Sequence, residues 1–521
     1  LATILETAER GVGNRARLAV AQLPTLARCD DTDVLSADVP PPDDLGEAKV
    51  ATQVREEIRQ VAALRSTGKV AAGLEQAQQT LETARTIDHA PTEVVALAAL
   101  GHMQEASGDN EAATETLSTA YFAAVESGQR QVAQAAARGL TFVFGVRLND
   151  GEAGLRWGRQ ALAWARWIEP GGEPEADTHL ALAKVYYRQG TLTESLHEGE
   201  TALAQLGDAY GPDHPRVADA HLELSQVTTA LGDLPRAQEH LRKALAVQTE
   251  RLGSTSLFVA KTQMLLGRLA ETTGDVEGSV EAYTATVDIL ERVYDGDHTN
   301  VAVALANLAG ALQLQRRYDE ALALMTRAQG IFERKVGPDH PNTGHILGAI
   351  GALNFTIGND DEAQRLLERS IEIETAAFGP NHRNLAVSLL HLGRLHKKAS
   401  RYAEAIAHFE RAVAIHHSVS GPDAFPVAAP LSALGICLVE AGRPAEAIAH
   451  LEKALGLLGK DATTMGAYIE GGHALARAYE SMGRPRTESR ARVRDALVAA
   501  RRIDSKRIDE LEAWLEAHPA E

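Results

Sequence analysis

The sequence predicts an all-α fold, a superhelix of about eleven helical hairpins stacked one on the next. Hydrophobic residues make up 45% of the 521 residues, and aromatic residues only 4%. Most of the apolar content is Ala and Leu, the best helix formers, whereas sheets favour β-branched and aromatic residues. Two short sequence phrases also recur with a common period of 42 residues. A period of that length is typical of stacked helical units.

The first phrase begins with Gly or a polar residue. A polar residue and an often bulky residue follow, and a small residue stands five positions after the start. Gly232–Ala237 and Arg316–Ala321 are two examples. Apolar residues with helical spacing precede and follow it, so the phrase joins two helices that approach closely at the small residue. The small residue falls at 237, 279, 321, 363, 405 and 447, then further out at Ser195, Gly154, Ala113, Gly73 and Ser489.

The second phrase separates one pair of helices from the next. In Gly337-Pro-Asp-His-Pro341 the Gly stops a helix, Asp or His offers an N-cap, and the last Pro suits the first turn of the next helix. Related phrases begin at 211, 295, 379 and 421. The unit is therefore a helical hairpin with a short loop. Such hairpins cannot bury their apolar faces alone, so they are expected to stack.

The motifs resemble the tetratricopeptide repeat. Leu-Ala or Leu-Gly in the first helix, as at Leu308-Ala309 and Leu392-Gly393, precedes Tyr-x-Glu-Ala and a later Ala-Leu, as at Ala454-Leu455. The 42-residue length with the Gly-Pro-Asp-His-Pro loop is similar to the kinesin-light-chain variety. The resemblance implies a right-handed α-α superhelix whose concave groove is lined by the first helix of each repeat.

Four segments are predicted along the chain. Residues 1–50 form an N-terminal helical linker segment, and residues 51–170 hold divergent repeats of the same type. Residues 171–460 are the regular 42-residue array. Residues 461–521 hold the last repeat and a C-terminal capping helix, in which Leu511, Trp514 and Leu515 share one face.

The first 50 residues carry a second resemblance. Leu23–Cys29 and Val39–Asp44 resemble the stretch that joins the catalytic and repeat portions of some bacterial serine/threonine protein kinases. The resemblance implies a regulatory or substrate-recruiting region, and a start at Leu1 fits a chain cut from such a parent. The chain has no His-Arg-Asp, Asp-Phe-Gly or Val-Ala-Ile-Lys motif. We therefore expect no enzyme activity and no catalytic residue in this chain.

Several other classes of function are disfavoured. The chain has 52 Lys and Arg against 71 Asp and Glu, a formal charge of −19, and nucleic-acid binders usually carry a basic excess. No membrane-spanning run or signal peptide is evident, so we expect a cytoplasmic protein. Cys29 and Cys437 are too few for a Cys-based metal site. The recurrent His214, His298, His340 and His382 are interpreted as loop caps, so no metal or cofactor is expected.

The candidate site is the groove that the resemblance implies. With the small residue taken as position 20, groove positions are 2, 5, 9, 12 and 13 of each repeat. Lys261, Arg268, Arg394, Lys397 and Lys398 are the basic residues at these positions, alongside Asp219, Glu271 and Glu440. Two interpretations remain open: a locally basic groove, or scattered solvated charges.

Asn307 resembles the asparagine through which kinesin light chains hold peptides. Its equivalent positions hold other residue types: Glu223, Leu265, Ala349, His391 and Ala433.

The expected function is therefore a scaffold that binds a partner peptide or protein, either acidic or phosphorylated, in its groove. The partner-binding candidates are Lys261, Arg268, Asn307, His391, Arg394, Lys397 and Lys398. The alternative is the regulatory region of a bacterial serine/threonine kinase. The two hypotheses are compatible.

Overall fold

The computed structural model describes residues 41–66, 68–294, 296–458, 465–503 and 505–519. Over these residues it contains α-helices, one π-helical and one 3₁₀ segment, and no strand. Residues 1–40 of the expected N-terminal helical linker segment, and with them Cys29, lie outside the described residues. Two compact units divide the chain, Leu1–Gly296 and Asp297–Glu521.

The described residues of unit 1 form six hairpins, each made of two antiparallel helices in contact. Its helices are α1 (Leu45–Ser66), α2 (Val70–Ala84), α3 (Ala90–Ser107), α4 (Asn110–Glu126), α5 (Arg130–Phe142), α6 (Gly151–Ile168), α7 (Glu173–Gln189), α8 (Leu192–Tyr210), α9 (Pro215–Ala230), α10 (Leu234–Leu252), α11 (Leu257–Thr273) and α12 (Val276–Tyr294).

Unit 2 holds five further hairpins and a final helix. Its helices are α13 (Thr299–Leu314), α14 (Tyr318–Val336), α15 (Pro341–Ile357), α16 (Asp360–Phe378), α17 (Leu385–Lys398), α18 (Tyr402–Ser420), α19 (Ala428–Glu440), α20 (Pro444–Leu457), α21 (Met465–Ser481), α22 (Arg486–Arg502) and α23 (Ile508–Ala517). Over the described residues the chain therefore forms eleven hairpins. The predicted all-α repeat fold is confirmed.

The recurrent small residue lies where the two helices of each hairpin cross. Ala113, Ala237, Ala321 and Ala405 are all fully buried. Of the three serines in the series, Ser195 and Ser279 are also fully buried and Ser489 is 3% exposed. A side chain of one or two heavy atoms is what allows the two backbones to approach this closely.

The turn inside each hairpin needs a left-handed residue. Gly232, Gly274 and Gly358 supply it, with φ of 79°, 78° and 90°. Arg316 and Ser400 occupy the same place with φ of 61° and 60°, although they carry a Cβ. These two residues are the polar stand-ins for Gly in the repeated phrase.

The loop between hairpins is capped by histidine. The Nδ1 atoms of His214, His298 and His340 accept hydrogen bonds from the backbone N–H two residues on, at 3.2, 3.1 and 3.1 Å. The N-cap interpretation of these histidines is confirmed. The loop aspartates instead pair with the second helix of their own hairpin, as Asp297 does with Arg334 at 2.6 Å and Asp423 with Lys453 at 3.1 Å.

One helix departs from the regular pattern. The π-helical segment Val143–Arg147 continues α5, and a π turn holds one more residue than an α turn. Gly145 in this segment lies against Gly154 of α6, where an added Cβ on residue 154 would be 2.6 Å from the Cα of residue 145. When repeat positions in α5 are assigned by counting back from Gly154, each residue is therefore placed one position away from its true place in the repeat.

Candidate functional site

The first helices of successive hairpins face one another on the inner side of each unit. In unit 1, α3 contacts α5 directly, and in unit 2, α19 contacts α21. Cavities on this side are lined mostly by first-helix residues, many of them at the groove positions of the repeat. The candidate site is therefore described as two inner faces, one in each unit.

The inner face of unit 2 contains a cavity of about 580 Å³ beside Arg394. We call it the Arg394 cavity. First helices α15, α17, α19 and α21 supply most of its wall, and Phe409 of α18 closes it from behind. Arg394, Lys397 and Lys398, three of the predicted site residues, line this one cavity.

The two lysines carry their own counter-ions. Lys397 Nζ lies 3.1 Å from a carboxylate oxygen of Glu440, and Lys398 Nζ lies 2.7 Å from one of Asp360. Each ion pair joins neighbouring first helices or hairpins. The cluster that looked basic in sequence is therefore largely neutralised, and its lysines help to hold the wall of the cavity together.

Arg394 is different, because it makes no ion pair within the part of the chain that the structure describes. Its side chain is half-buried, and burial lowers its pKa, with Glu470 across the cavity opposing that change. A half-buried guanidinium that lacks a close carboxylate is suited to accept one from a ligand. Arg394 is thus the cation of this cavity that is available to a partner.

His391 lies one helical turn before Arg394 on α17. Burial, and then the charge of Arg394, lower the pKa of His391 to about 4. Its Nδ1 is buried and has no hydrogen-bond partner in the described ranges. His391 is therefore a neutral side chain that can donate or accept one hydrogen bond.

The other predicted site residues do not line the Arg394 cavity. Asn307 is half-buried on α13, and Arg268 is exposed on α11. Glu271, also at a groove position, accepts a hydrogen bond from the Tyr283 hydroxyl at 3.2 Å and so faces its own hairpin partner. Lys261 lines a second cavity, in unit 1.

That second cavity measures about 400 Å³ and is called here the charged cavity. First helices α1, α3, α5, α7, α9 and α11 all contribute to it. Its charged lining residues are Arg65, Glu105, Arg138, Asp177, Lys184, Arg216, Asp219, Glu223 and Lys261. Of these, the sequence had pointed only to Asp219, Glu223 and Lys261.

Ion pairs connect the helices around the charged cavity. Lys184 Nζ lies 3.1 Å from Glu223, and Arg65 lies 2.9 Å from Glu105. Arg216 hydrogen-bonds Asp177. Asp219 is buried among these charges, and burial raises its pKa to about 6 despite the nearby cations. The lining is thus densely charged but close to neutral overall.

Residues for metal binding do not assemble in the described ranges. No three His, Cys, Asp or Glu side chains converge there as a metal site requires. Cys437 is fully buried, and burial raises the pKa of its thiol to about 11. It is a core residue, as the sequence indicated. None of the described helices combines the length and apolarity needed to cross a bilayer.

Comparison with protein families gives a match to the tetratricopeptide repeat. The matched stretches are 174–250, 258–334, 304–374, 358–416 and 392–460. Together they cover more than half of the 521 residues. The resemblance proposed from the sequence motifs is thereby confirmed. A comparison with curated proteins found no match.

Several solved structures are similar. The apo form of RapI is 11% identical over 70% of this chain and 98% of RapI, with a TM-score of 0.53. The apo form of the quorum sensor NprR from B. thuringiensis is 12% identical over 70% of this chain and 99% of NprR, with a TM-score of 0.50. At these identities the likeness concerns the fold.

A putative kinesin light chain from Podospora anserina with nearly identical TPR-like repeats also matches. It is 24% identical over 38% of this chain and 94% of that chain, with a TM-score of 0.36.

Proposed function

The chain belongs to the tetratricopeptide repeat family, and from that premise we propose that it is a non-enzymatic scaffold for protein–protein interaction. One observation carries the proposal: the Arg394 cavity opens on the inner face and contains a half-buried guanidinium with no ion pair in the described residues. A partner segment bound there would place a carboxylate or phosphate against Arg394. Extended or helical segments bind repeat surfaces by summing modest contacts over several units.

The proposed partner is an acidic or phosphorylated segment of another protein. Lys397 and Lys398 contribute less than their charge suggests, because Glu440 and Asp360 already pair with them. Arg394 supplies the charged contact, and Phe355, Ala429 and Ile436 supply apolar wall. The specificity is therefore expected to depend on one anion placed beside an apolar group.

The test begins with affinity capture, using the whole chain as bait, and identification of the captured protein by mass spectrometry. Short overlapping peptides of that protein are then titrated into the purified chain. Arg394→Glu is expected to weaken binding by about tenfold or more, since a charged hydrogen bond contributes roughly 1.5–3 kcal/mol. Reversing the charges of Lys397 and Lys398 as well is less informative, because those substitutions also break two structural ion pairs.

The matched control is Arg411→Glu, on the second helix of the same hairpin. Arg411 donates a hydrogen bond to the backbone carbonyl of Pro380 and does not line the cavity. The Arg411→Glu variant is expected to bind the selected peptide with native affinity. Equal binding by Arg394→Glu and the native chain would assign the partner to another surface.

A second proposal concerns the protein from which this chain derives. The landmarks Leu23–Cys29 and Val39–Asp44 support a regulatory or substrate-recruiting region of a bacterial serine/threonine protein kinase. A kinase reading frame directly upstream of Leu1 is the expected finding. A different upstream domain would overturn this second proposal and leave the scaffold proposal intact.

A further inference from the structure

Aromatic side chains are rare in this chain, but five of them meet on the second helices α4 and α6 of unit 1. Three of the four tryptophans lie on α6, at Trp157, Trp164 and Trp167. Tyr121 and Phe122 lie on α4. First helices line the cavities of unit 1, so these second-helix rings lie on its opposite, outer side. We call the five rings the aromatic row.

The rings contact one another continuously across the two helices. The Tyr121 ring centroid is 5.3 Å from that of Phe122 and 5.0 Å from that of Trp157, both in edge-to-face arrangements. The indole N–H of Trp164 donates to the Tyr121 hydroxyl at 3.3 Å. The Trp164 and Trp167 centroids are 5.5 Å apart. The row therefore extends from Phe122 to Trp167, and each ring is held in place by its neighbours.

One edge of the aromatic row packs on the core, and the other is open to solvent. Tyr121 belongs to a buried cluster of unit 1, and Trp157 and Trp164 pack against that cluster. Phe122 is 58% exposed and Trp167 59% exposed, at the two ends of the row. Large apolar side chains that are exposed together mark interaction surfaces, where Trp, Tyr and Phe are enriched.

The polar groups beside the aromatic row are hydrogen-bond donors. Gln160 lies between Trp157 and Trp164 on α6, and its Oε1 accepts from the Tyr121 hydroxyl at 3.4 Å, which leaves its amide N–H groups to donate. The guanidinium carbon of Arg130 lies 4.0 Å from the centroid of the Trp167 ring. Arg130 has no ion pair within the described ranges. A complementary partner therefore supplies carbonyl oxygens along the row and an anion at its Arg130 end.

The spacing of the tryptophans fits an extended, proline-rich segment. Trp157 and Trp164 are seven residues apart on α6, which is about 10.5 Å along the helix axis. A polyproline II helix repeats every three residues, or about every 9.3 Å, so its residues i and i+3 can pack on the two rings. Its carbonyls make no internal hydrogen bonds and are free to accept. The carbonyls of an α-helical partner are already used within the helix.

We propose that the aromatic row binds a proline-rich segment of another protein, in the polyproline II conformation, with an acidic residue at one end. Prolines three residues apart pack on Trp157 and Trp164, flanked by Phe122 and Trp167, and a carbonyl between them accepts from the Gln160 amide. The acidic side chain binds Arg130. This surface lies on the outer side of unit 1 and is separate from the Arg394 cavity, so that one chain can hold two partners.

The test uses the full chain and a library of short peptides, acetylated and amidated, in which two prolines three residues apart and one terminal Glu are fixed. A selected peptide is titrated against the chain, and tryptophan fluorescence reports binding directly, since three of the four tryptophans lie in the aromatic row. The peptide is expected to bind saturably and to shift the emission. Replacing both prolines by Ala is expected to weaken binding about tenfold, or about 1.4 kcal/mol.

Variants separate the ring contacts from the charged contact. Phe122→Ala and Trp167→Ala remove exposed rings, so that folding is preserved, and each is expected to weaken binding about fivefold. Arg130→Gln is expected to weaken binding of the selected peptide by a similar factor, but not of the same peptide with Gln in place of its Glu. Phe425→Ala is the matched control, because Phe425 is an equally exposed ring in unit 2. This control is expected to bind with native affinity.

Three results would overturn the proposal. One is the absence of saturable peptide binding; if vesicles of phosphatidylglycerol then shift the emission, the aromatic row is assigned to a lipid surface. Another is equal affinity for the peptide with Ala in place of its prolines. The third is native affinity in both Phe122→Ala and Trp167→Ala, which would place the peptide elsewhere. Native affinity in Arg394→Glu is expected here, so this surface and the Arg394 cavity fail separately.

Discussion

Glu374 in α16 is a carboxylate in the core of a hairpin, with its side chain only 1% exposed. Its Oε2 has no hydrogen-bond partner among the described residues. Burial raises its pKa from an ordinary 4.5 to about 7. The folded state therefore holds a proton on Glu374 at pH values where the unfolded chain has lost it. Stability must fall as the pH rises from about 4.5 through about 7, and stay low above that.

Glu374→Gln keeps the shape of the side chain and removes this charge. We expect the variant to gain on the order of 2 kcal/mol over the native chain at pH 8, and to match it near pH 4, where both side chains are neutral. Urea unfolding at the two pH values measures the difference. Glu372→Gln, on an exposed side chain of the same helix, is the control and should show no comparable gain. An equal advantage for Glu374→Gln at both pH values would contradict the assignment.

The hairpin is the element that sequence predicts well, because its requirements are local. A small residue at the crossing, a left-handed turn residue and a loop cap each need one residue type at one place, as Ala321, Gly358 and His340 show. The partner of the loop aspartate was not predicted. Its cation lies on the second helix, more than 30 residues away, as Arg334 does from Asp297.

Glycines inside first helices have two different roles. A Cβ on Gly393 would lie 2.6 Å from Cε1 of Phe409, a fully buried ring that cannot move aside. We expect Gly393→Ala to destabilise unit 2 by about 1–3 kcal/mol. Gly310 in α13 meets nothing within 4 Å, so Gly310→Ala should stabilise it by about 0.5–1 kcal/mol through helix propensity. Urea unfolding of both variants is the measurement, and shifts of the same sign would refute the packing argument.

At the scale of the molecule, the candidate sites were predictable only in part. Arg394, Lys397 and Lys398 were found because they occupy groove positions of regular repeats. The neutralisation of Lys397 by Glu440 and of Lys398 by Asp360 could not be predicted, since those acids come from neighbouring hairpins.

The charged cavity in unit 1 was not predicted from the sequence, for two further reasons. Its repeats are divergent in sequence, and the π-helical segment Val143–Arg147 shifts the count that would have placed Arg138 in the groove. The charged cavity also collects side chains from six first helices, a grouping that depends on how the hairpins stack.

Helix α23 packs against the hairpin of α21 and α22. Leu511 is fully buried against a cluster that includes Val493 and Ala496 of α22, with Trp514 and Leu515 beside it. Each hairpin contacts mainly its neighbours, so damage at this end is expected to stay local. Leu511→Asp places an unpaired charge in that cluster and should open α21 and α22, while α13 to α16 stay folded.

Hydrogen exchange followed by mass spectrometry measures this directly. Loss of protection over residues 465–503, with native protection over residues 299–378, is the expected result. Ala513→Asp adds the same charge to the exposed side of α23 and should leave the pattern native. If Leu511→Asp instead removed protection throughout unit 2, the hairpins would unfold as one cooperative block, and the nearest-neighbour account of their stability would have to be abandoned.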